Sequence, residues 1–127
     1  MKFKNIDHLV LTVADISSSV NFYQDILGME VEHFQNGRTA LHLGACKINL
    51  HQIHHEFEPK SAKPTPGSGD FCLITETPIE QVLTELKAKN IQPIEGPEQK
   101  HGALGAMTSI YLRDPDNNLV EIAHYNQ

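Results

Sequence analysis

Several polar residues stand where strand-like apolar sequence gives them little reason to be. His8 interrupts IDHLVLTV. An imidazole in such a segment costs free energy unless its nitrogens are hydrogen-bonded or hold a metal. It is therefore either a core histidine satisfied by backbone or a ligand. Glu121 lies between Val120 and Ile122 in NLVEIAHY, where strand alternation puts Leu119, Glu121 and Ala123 on one face. That face is either solvated or turned into a cleft. Asn49 and His51 share a face of KINLHQ, and imidazole is the better donor to a borderline divalent cation. His54 and His55 follow at once and raise the idea of a local histidine cluster, but they fall in a connector and are expected at the surface. Imidazoles and carboxylates together hold a divalent metal, which acts on neighbouring oxygens as a Lewis acid.

Other polar positions have plainer readings beside functional ones. Cys72 is expected to be a packed thiol rather than a nucleophile. Lys100, His101, Gly102, Ala103 and Gly105 read as a polar loop, either closing over an anionic substrate or serving as an ordinary connection. Ser109 and Tyr111 share a strand face, and Arg113 is placed to brace the DPDNN turn that follows it.

The elements that must position these groups repeat. IDHLVLTV reads as a strand. Asp15 then caps a helix whose Ile16, Val20, Tyr23 and Leu27 fall on one face, and Gly28 ends it. MEVEHF, TALHLG and KINLHQI are strand candidates, the first two joined through Asn36-Gly37. Residues 54–69 carry Pro59, Pro64, Pro66, Gly67 and Gly69 and form a connector. The pattern then returns. GDFCLIT is a strand, Thr77 and Glu80 suggest a capping box with Pro78 at the first helical position, and Ile79, Val82, Leu83 and Leu86 make the apolar face of a second helix. Glu85 and Lys89 are spaced as a solvent-side pair. IQPIE, MTSIYLR and NLVEIAHY complete the second half, the last two joined by turn residues 114–118. Each half reads strand, helix, strand, strand, strand. Aligning Val20 with Val82 lays His8 over Asp70, which is either a ligand position or a plain strand-entry aspartate. Two β-rich modules closing one cavity follow from this duplication.

Length and composition bound the rest. The chain of 127 residues is expected to be one domain. Its 10 Lys and Arg against 16 Asp and Glu give a net charge of −6, which argues against nucleic acid or an anionic membrane as partner. No apolar run is long enough to span a bilayer, and the N-terminus lacks the pattern of a signal peptide. Cys46 and Cys72 make no disulfide framework, so a reduced, cytoplasmic protein is expected.

DHLVLTV, the run from Phe22-Tyr23 to Leu27-Gly28-Met29, and RDPDNNLVEI together resemble the vicinal oxygen chelate superfamily. That superfamily contains glyoxalase I, fosfomycin-resistance proteins and extradiol dioxygenases. KINLHQ, PTPGSGDFCLITE and SIYLRDPDNNLVEI are similar, more narrowly, to the vertebrate glyoxalase-domain-containing proteins and their small bacterial relatives. The resemblance implies an α+β fold of two tandem βαβββ modules forming a curved-sheet cleft. Module 1 would span residues 4–53, the connector 54–68 and module 2 69–127. It implies a divalent metal (Zn, Ni, Mn or Fe) held by His8, His51 (or Asn49), Asp70 and Glu121. Asp70 departs from the histidine that many relatives have there, which leaves it a ligand, a holder of water or an orienting group.

By the same resemblance, Glu121 would be the base of a glyoxalase-type lyase acting on a small substrate such as an α-ketoaldehyde hemithioacetal, with the metal stabilising an enediolate. Lys100, Ser109 and Tyr111 would line the substrate, a thiol could take part, and a homodimer is implied. Three rivals stand beside this reading. One is an Fe(II) extradiol-type dioxygenase using His8, His51 and Glu121. Another is addition of a thiol or water to an antibiotic epoxide, which calls for a cationic cluster where Lys100 and Arg113 are the evident cations. The third is a non-catalytic module that binds a drug or antibiotic.

Overall fold

The computed structural model describes all residues 1–127 and divides into two compact units, Met1–Gly67 and Ser68–Gln127. In the first, β1 (His8–Val13) leads into α1 (Ile16–Val20), which continues as π-helical turns over Asn21–Ile26. Strands β2 (Glu30–Phe34), β3 (Arg38–Leu43) and β4 (Cys46–Gln52) follow, and the sheet order is β1-β4-β3-β2. β1 runs parallel to β4, so the helix and the β2–β3 hairpin form the crossover that parallel pairing demands.

Asp15 caps α1 as expected, accepting from the Ser18 amide at 3.0 Å and the Ser18 hydroxyl at 2.7 Å. Gln52 ties the end of β4 to the same helix start, accepting from the Ile16 N–H and donating to the Ala14 carbonyl. Gly28, at φ +78°, ends the helical segment, and its N–H donates to the Gln24 carbonyl. The buried face differs from the expected one. Ser19, Phe22 and Tyr23 are buried, while Ile16, Val20 and Leu27 are half-buried. The π-helical turns close five-residue steps, such as the Leu27 N–H to the Phe22 carbonyl, and so rotate the inward stripe away from strict α-spacing. α1 packs on β4, and Leu11, Val13, Leu41, Ile48 and Leu50 form the sheet side of this core.

The second unit has β5 (Asp70–Ile74), α2 (Ile79–Ala88), β6 (Glu95–Gly102), β7 (Gly105–Arg113) and β8 (Leu119–Tyr125), in sheet order β5-β8-β7-β6. β5 is parallel to β8, repeating the arrangement of the first unit. The chain is thus a tandem of two βαβββ modules. α2 packs on β7, burying Ile79 and Leu86 fully and Val82 and Leu83 in part.

Two expectations for this unit fail. The capping box does not form. Pro78, with ψ 142°, is itself the cap residue, which leaves Thr77 outside the helix, and its N–H goes to the Thr75 hydroxyl. The strand expected at IQPIE lies later, at Glu95–Gly102. Pro93 has no N–H to give a ladder, and pairing with β7 begins at Glu95, with an irregularity before Glu98. Lys100, His101 and Gly102 are consequently strand residues. Gly102 pairs with Gly105 around a two-residue hairpin turn, so no loop there is available to close over a substrate.

Candidate functional site

Strand pairing arranges each sheet face as rows of neighbouring side chains. In the first unit His8 pairs with Lys47, Val10 with Asn49 and Thr12 with His51. His42 and Ala40 of β3 lie opposite Lys47 and Asn49. His8, Asn49 and His51 therefore share one face. His8 and His51 are nonetheless four pairing steps apart, about 13 Å along the strands. A single ion bonded by both, at about 2 Å from each, would need the two imidazoles to lean toward one another across that separation. Asn49 is two steps from the His8 row and is the nearer of the two candidates on β4. His54 and His55 are exposed, as expected, and take no part in this face.

His8 is exposed, and its Nδ1 lies 2.8 Å from the Asp7 carboxylate. With Nδ1–H donated to Asp7, the Nε2 lone pair is available, which is the arrangement that carboxylates give to metal-binding histidines. Asn49 places its side-chain oxygen in a buried position with no hydrogen-bond partner. His51 is buried and stacks edge-on against Phe57, 5.5 Å between centroids. Burial, followed by the charge of Arg38, holds its pKa below the ordinary imidazole value, and Glu56 opposes this in part.

In the second unit Asp70 pairs with Leu119, Cys72 with Glu121 and Ile74 with Ala123. Tyr111 lies opposite Glu121 and Ser109 opposite Ala123. Across the strands, Cys72, Glu121, Tyr111 and Glu95 form one continuous titratable row. One Glu121 oxygen is buried without a hydrogen-bond partner, an arrangement that costs free energy unless a cation or donor completes it. The two neighbours of Glu121 both hold their protons. Burial and then the Glu121 charge push the Cys72 thiol up to about 11, and the same two causes lead in raising the Tyr111 phenol. Ser109 is fully buried, its hydroxyl without a partner. Lys100 is committed to Glu98 at 3.2 Å, with its ammonium 5.7 Å from the Tyr111 ring centroid. Arg113 braces the following turn, donating to the Asn117 carbonyl at 3.2 Å.

The two units carry their polar groups at matching positions. Asn49 stands to His8 as Glu121 stands to Asp70, two pairing steps further along the last strand, and His51 matches Ala123. Both members of the Asn49 and Glu121 pair have a buried oxygen without a partner. No three His, Cys, Asp or Glu side chains are already gathered as a metal cluster. Each unit by itself offers donors that suit a cation: the oriented imidazole of His8 and the partnerless Asn49 oxygen in the first, the Asp70 carboxylate and the partnerless Glu121 oxygen in the second.

Residues 5–122 match the model of the glyoxalase/bleomycin resistance protein/dioxygenase superfamily. The chain belongs to this superfamily. It is 53% identical over 125 residues to virulence protein STM3117 of Salmonella typhimurium, covering 98% of this chain and 87% of that one. Against the crystal structure of the same protein the TM-score is 0.96, over 99% of this chain and 100% of that one. Glyoxalase domain-containing protein RDO1 of Mycosarcoma maydis is 46% identical over 125 residues, 98% of this chain and 70% of its own. Metallothiol transferase FosB of Staphylococcus epidermidis is 26% identical over 124 residues, 96% of this chain and 82% of its own. At the level of fold alone, the crystal structure of a lactoylglutathione lyase from Agrobacterium tumefaciens aligns with a TM-score of 0.73 at 21% identity, over 97% of this chain and 95% of that one.

Within this superfamily member, sequence reasoning passed over Arg38, whose guanidinium lies 4.3 Å from the Phe57 ring centroid beside His51. A basic residue opening a strand carries no signal until pairing shows what lies next to it. Cys72, read from sequence as a packed thiol, lies on the Glu121 face as an exposed residue whose sulfur is only partly buried. In chelator-treated protein with Cys46 replaced by alanine, alkylation of Cys72 by iodoacetamide should stay slow at neutral pH. It should rise about tenfold per pH unit until close to 11. A rate that levels off below pH 9, the ordinary thiol value, would mean that Glu121 and burial do not act on this sulfur.

Proposed function

We propose that the chain is a metal-dependent lyase or isomerase of glyoxalase type. Its divalent cation would be held by His8 and Glu121, with Asp70 and Asn49 as further oxygen donors. The observation that carries this reading is the pair of buried, partnerless oxygens on Asn49 and Glu121, at matching positions two steps from His8 and Asp70. Strand pairing supports Asn49 over His51 as the β4 donor. It also weighs against the Fe(II) dioxygenase reading, which needs His51 as its second histidine. Relatives whose names include a metallothiol transferase and a lactoylglutathione lyase support metal and thiol chemistry.

A bound divalent cation would supply Lewis-acid stabilisation of negative charge developing on a substrate oxygen. The Glu121 carboxylate takes the proton from the carbon next to the substrate carbonyl and returns it to the former carbonyl carbon, while the hydroxyl proton passes to the former carbonyl oxygen. Such base catalysis contributes roughly 10²–10⁴-fold. Tyr111, which keeps its proton beside Glu121, donates a hydrogen bond and holds the carboxylate in place. Ser109 brings a hydroxyl for a substrate oxygen.

Elemental analysis of protein purified without added metal, followed by assay with methylglyoxal and a thiol under the metal found, tests the proposal. Metal-dependent product is expected. If no divalent ion is bound, or if none yields product from any thiol hemithioacetal, the lyase reading falls. Oxygen uptake with a catechol under Fe(II) would replace it by the dioxygenase. Mass in solution reports on the homodimer that we include in the proposal.

A further inference from the structure

Arg38, His51 and Asn49 are neighbours on one sheet face of the first unit, and none of the three side chains has an acceptor. Arg38 precedes Thr39, the partner of Leu50, and so falls beside His51, whose own neighbour on β4 two residues earlier is Asn49. Arg38 and His51 both rest on the Phe57 ring, the guanidinium at 4.3 Å and the imidazole edge-on at 5.5 Å. No carboxylate pairs with Arg38. The acid closest in effect to His51, Glu56, is already engaged by the His54 amide at 2.9 Å and by Lys60 at 3.5 Å. His51 is 6% exposed, and its ring makes no hydrogen bond. The Asn49 amide makes none either, and its oxygen is buried.

Leaving a buried donor without an acceptor costs about 1–3 kcal/mol. His51 is the buried member of the three, and the half-buried guanidinium of Arg38 beside it has no carboxylate partner either; a cation and a buried imidazole on one face, neither with an acceptor, point to an acceptor that arrives with a ligand. Arginine favours oxyanions because its planar fork matches two oxygens and its charge persists at every working pH. The same charge repels a second metal ion.

We propose that Arg38, His51 and the Asn49 amide nitrogen form a subsite for an oxyanion, a carboxylate or phosphate group, carried by the substrate. Assigning that group to the substrate rests on the metal-dependent reading above; binding of the anion itself does not. The inference also accounts for an amide at Asn49 where the second unit has the carboxylate of Glu121. An amide turns its oxygen to a cation and its nitrogen to an anion, whereas a carboxylate at that point would repel the anion.

The test uses chelator-treated full-length protein and follows side-chain N–H signals by NMR while inorganic phosphate is added at constant ionic strength. A parallel titration with acetate separates phosphate from carboxylate preference. Saturable shifts are expected at the Arg38 Nε–H, the Asn49 amide and the His51 ring. Arg38→Met keeps the stem over Phe57 and should weaken binding by roughly tenfold or more, about 1.4 kcal/mol. Asn49→Asp should weaken it similarly. Absence of saturable shifts with both anions overturns the subsite, as does phosphate binding as tight in both variants as in the parent. Should one variant fail to give a folded amide spectrum, the other decides. No metal is present in the anion titrations, so failure of the metal reading shows separately, as loss of zinc binding in the parent.

Discussion

Replacing Glu121 by glutamine should remove turnover and most of the affinity for a divalent cation while leaving the fold intact. The side chain keeps its size and stays in the row between Cys72 and Tyr111, so packing on β8 changes little. What changes is the charge. An uncharged amide oxygen holds a divalent cation more weakly than a carboxylate does, and it is no base at all. Loss of an outer supporting group costs metal sites roughly 10–100-fold in affinity, and loss of a direct carboxylate should exceed that. Turnover should fall by roughly 10²–10⁴-fold from the missing base alone.

A second readout separates a missing charge from a damaged fold. Without the Glu121 carboxylate, the Cys72 thiol should titrate below its value of about 11, though not fully to the ordinary value, because burial is the larger cause. Zinc binding by calorimetry and alkylation of Cys72 against pH check both. Parent-like zinc affinity in Glu121→Gln removes Glu121 from the site, whatever happens to turnover. Replacing Glu80, exposed on α2, by glutamine should alter neither.

How far such a site can be read from sequence depends on which physical quantity defines it. Alternation along a strand is local, so the shared face of Asn49 and His51, and that of Ser109 and Tyr111, were both legible. The duplication was legible too, since two copies of one strand–helix pattern at a constant offset align His8 with Asp70 whatever the tertiary structure. Pairing register was not. β1 and β4 are separated by a helix and a hairpin, and nothing local to KINLHQ says whether Asn49 or His51 comes closer to the His8 row. Chemical preference favoured the imidazole, and geometry supports the amide. Arg38 was invisible for the same reason. The fate of Lys100 turned on pairing as well: KHGALG looks like a loop by composition, but Gly102 and Gly105 close a hairpin that draws Lys100 into β6 and onto Glu98.

Replacing Asp114 by alanine should produce the largest loss of stability of any single change near the second-unit face. Asp114 is 4% exposed, and its carboxylate accepts from the Asp116 and Asn118 amides at 2.9 Å and from the Asn118 side chain at 2.8 Å. Asn118, itself buried, passes the constraint on by accepting from the Gly69 N–H at 2.6 Å, and the Gly69 carbonyl takes the Leu119 N–H at 3.0 Å. The turn therefore does more than join β7 to β8. It pins the start of β5 against β8 and sets the pairing that places Asp70 and Cys72 relative to Glu121. Removing the carboxylate strands several buried donors at about 1–3 kcal/mol each, partly offset by relaxation and water. A loss of roughly 3–5 kcal/mol follows, large on the scale of single substitutions. For a chain of this size that lowers Tm by roughly 10–20 °C. Arg113→Ala removes one exposed bond to the Asn117 carbonyl and should cost no more than about 1 kcal/mol. Thermal melts of the two variants make the comparison. Equal shifts would mean that the turn is held by its backbone alone, and that the Asp70 and Glu121 strands keep their pairing without the buried aspartate.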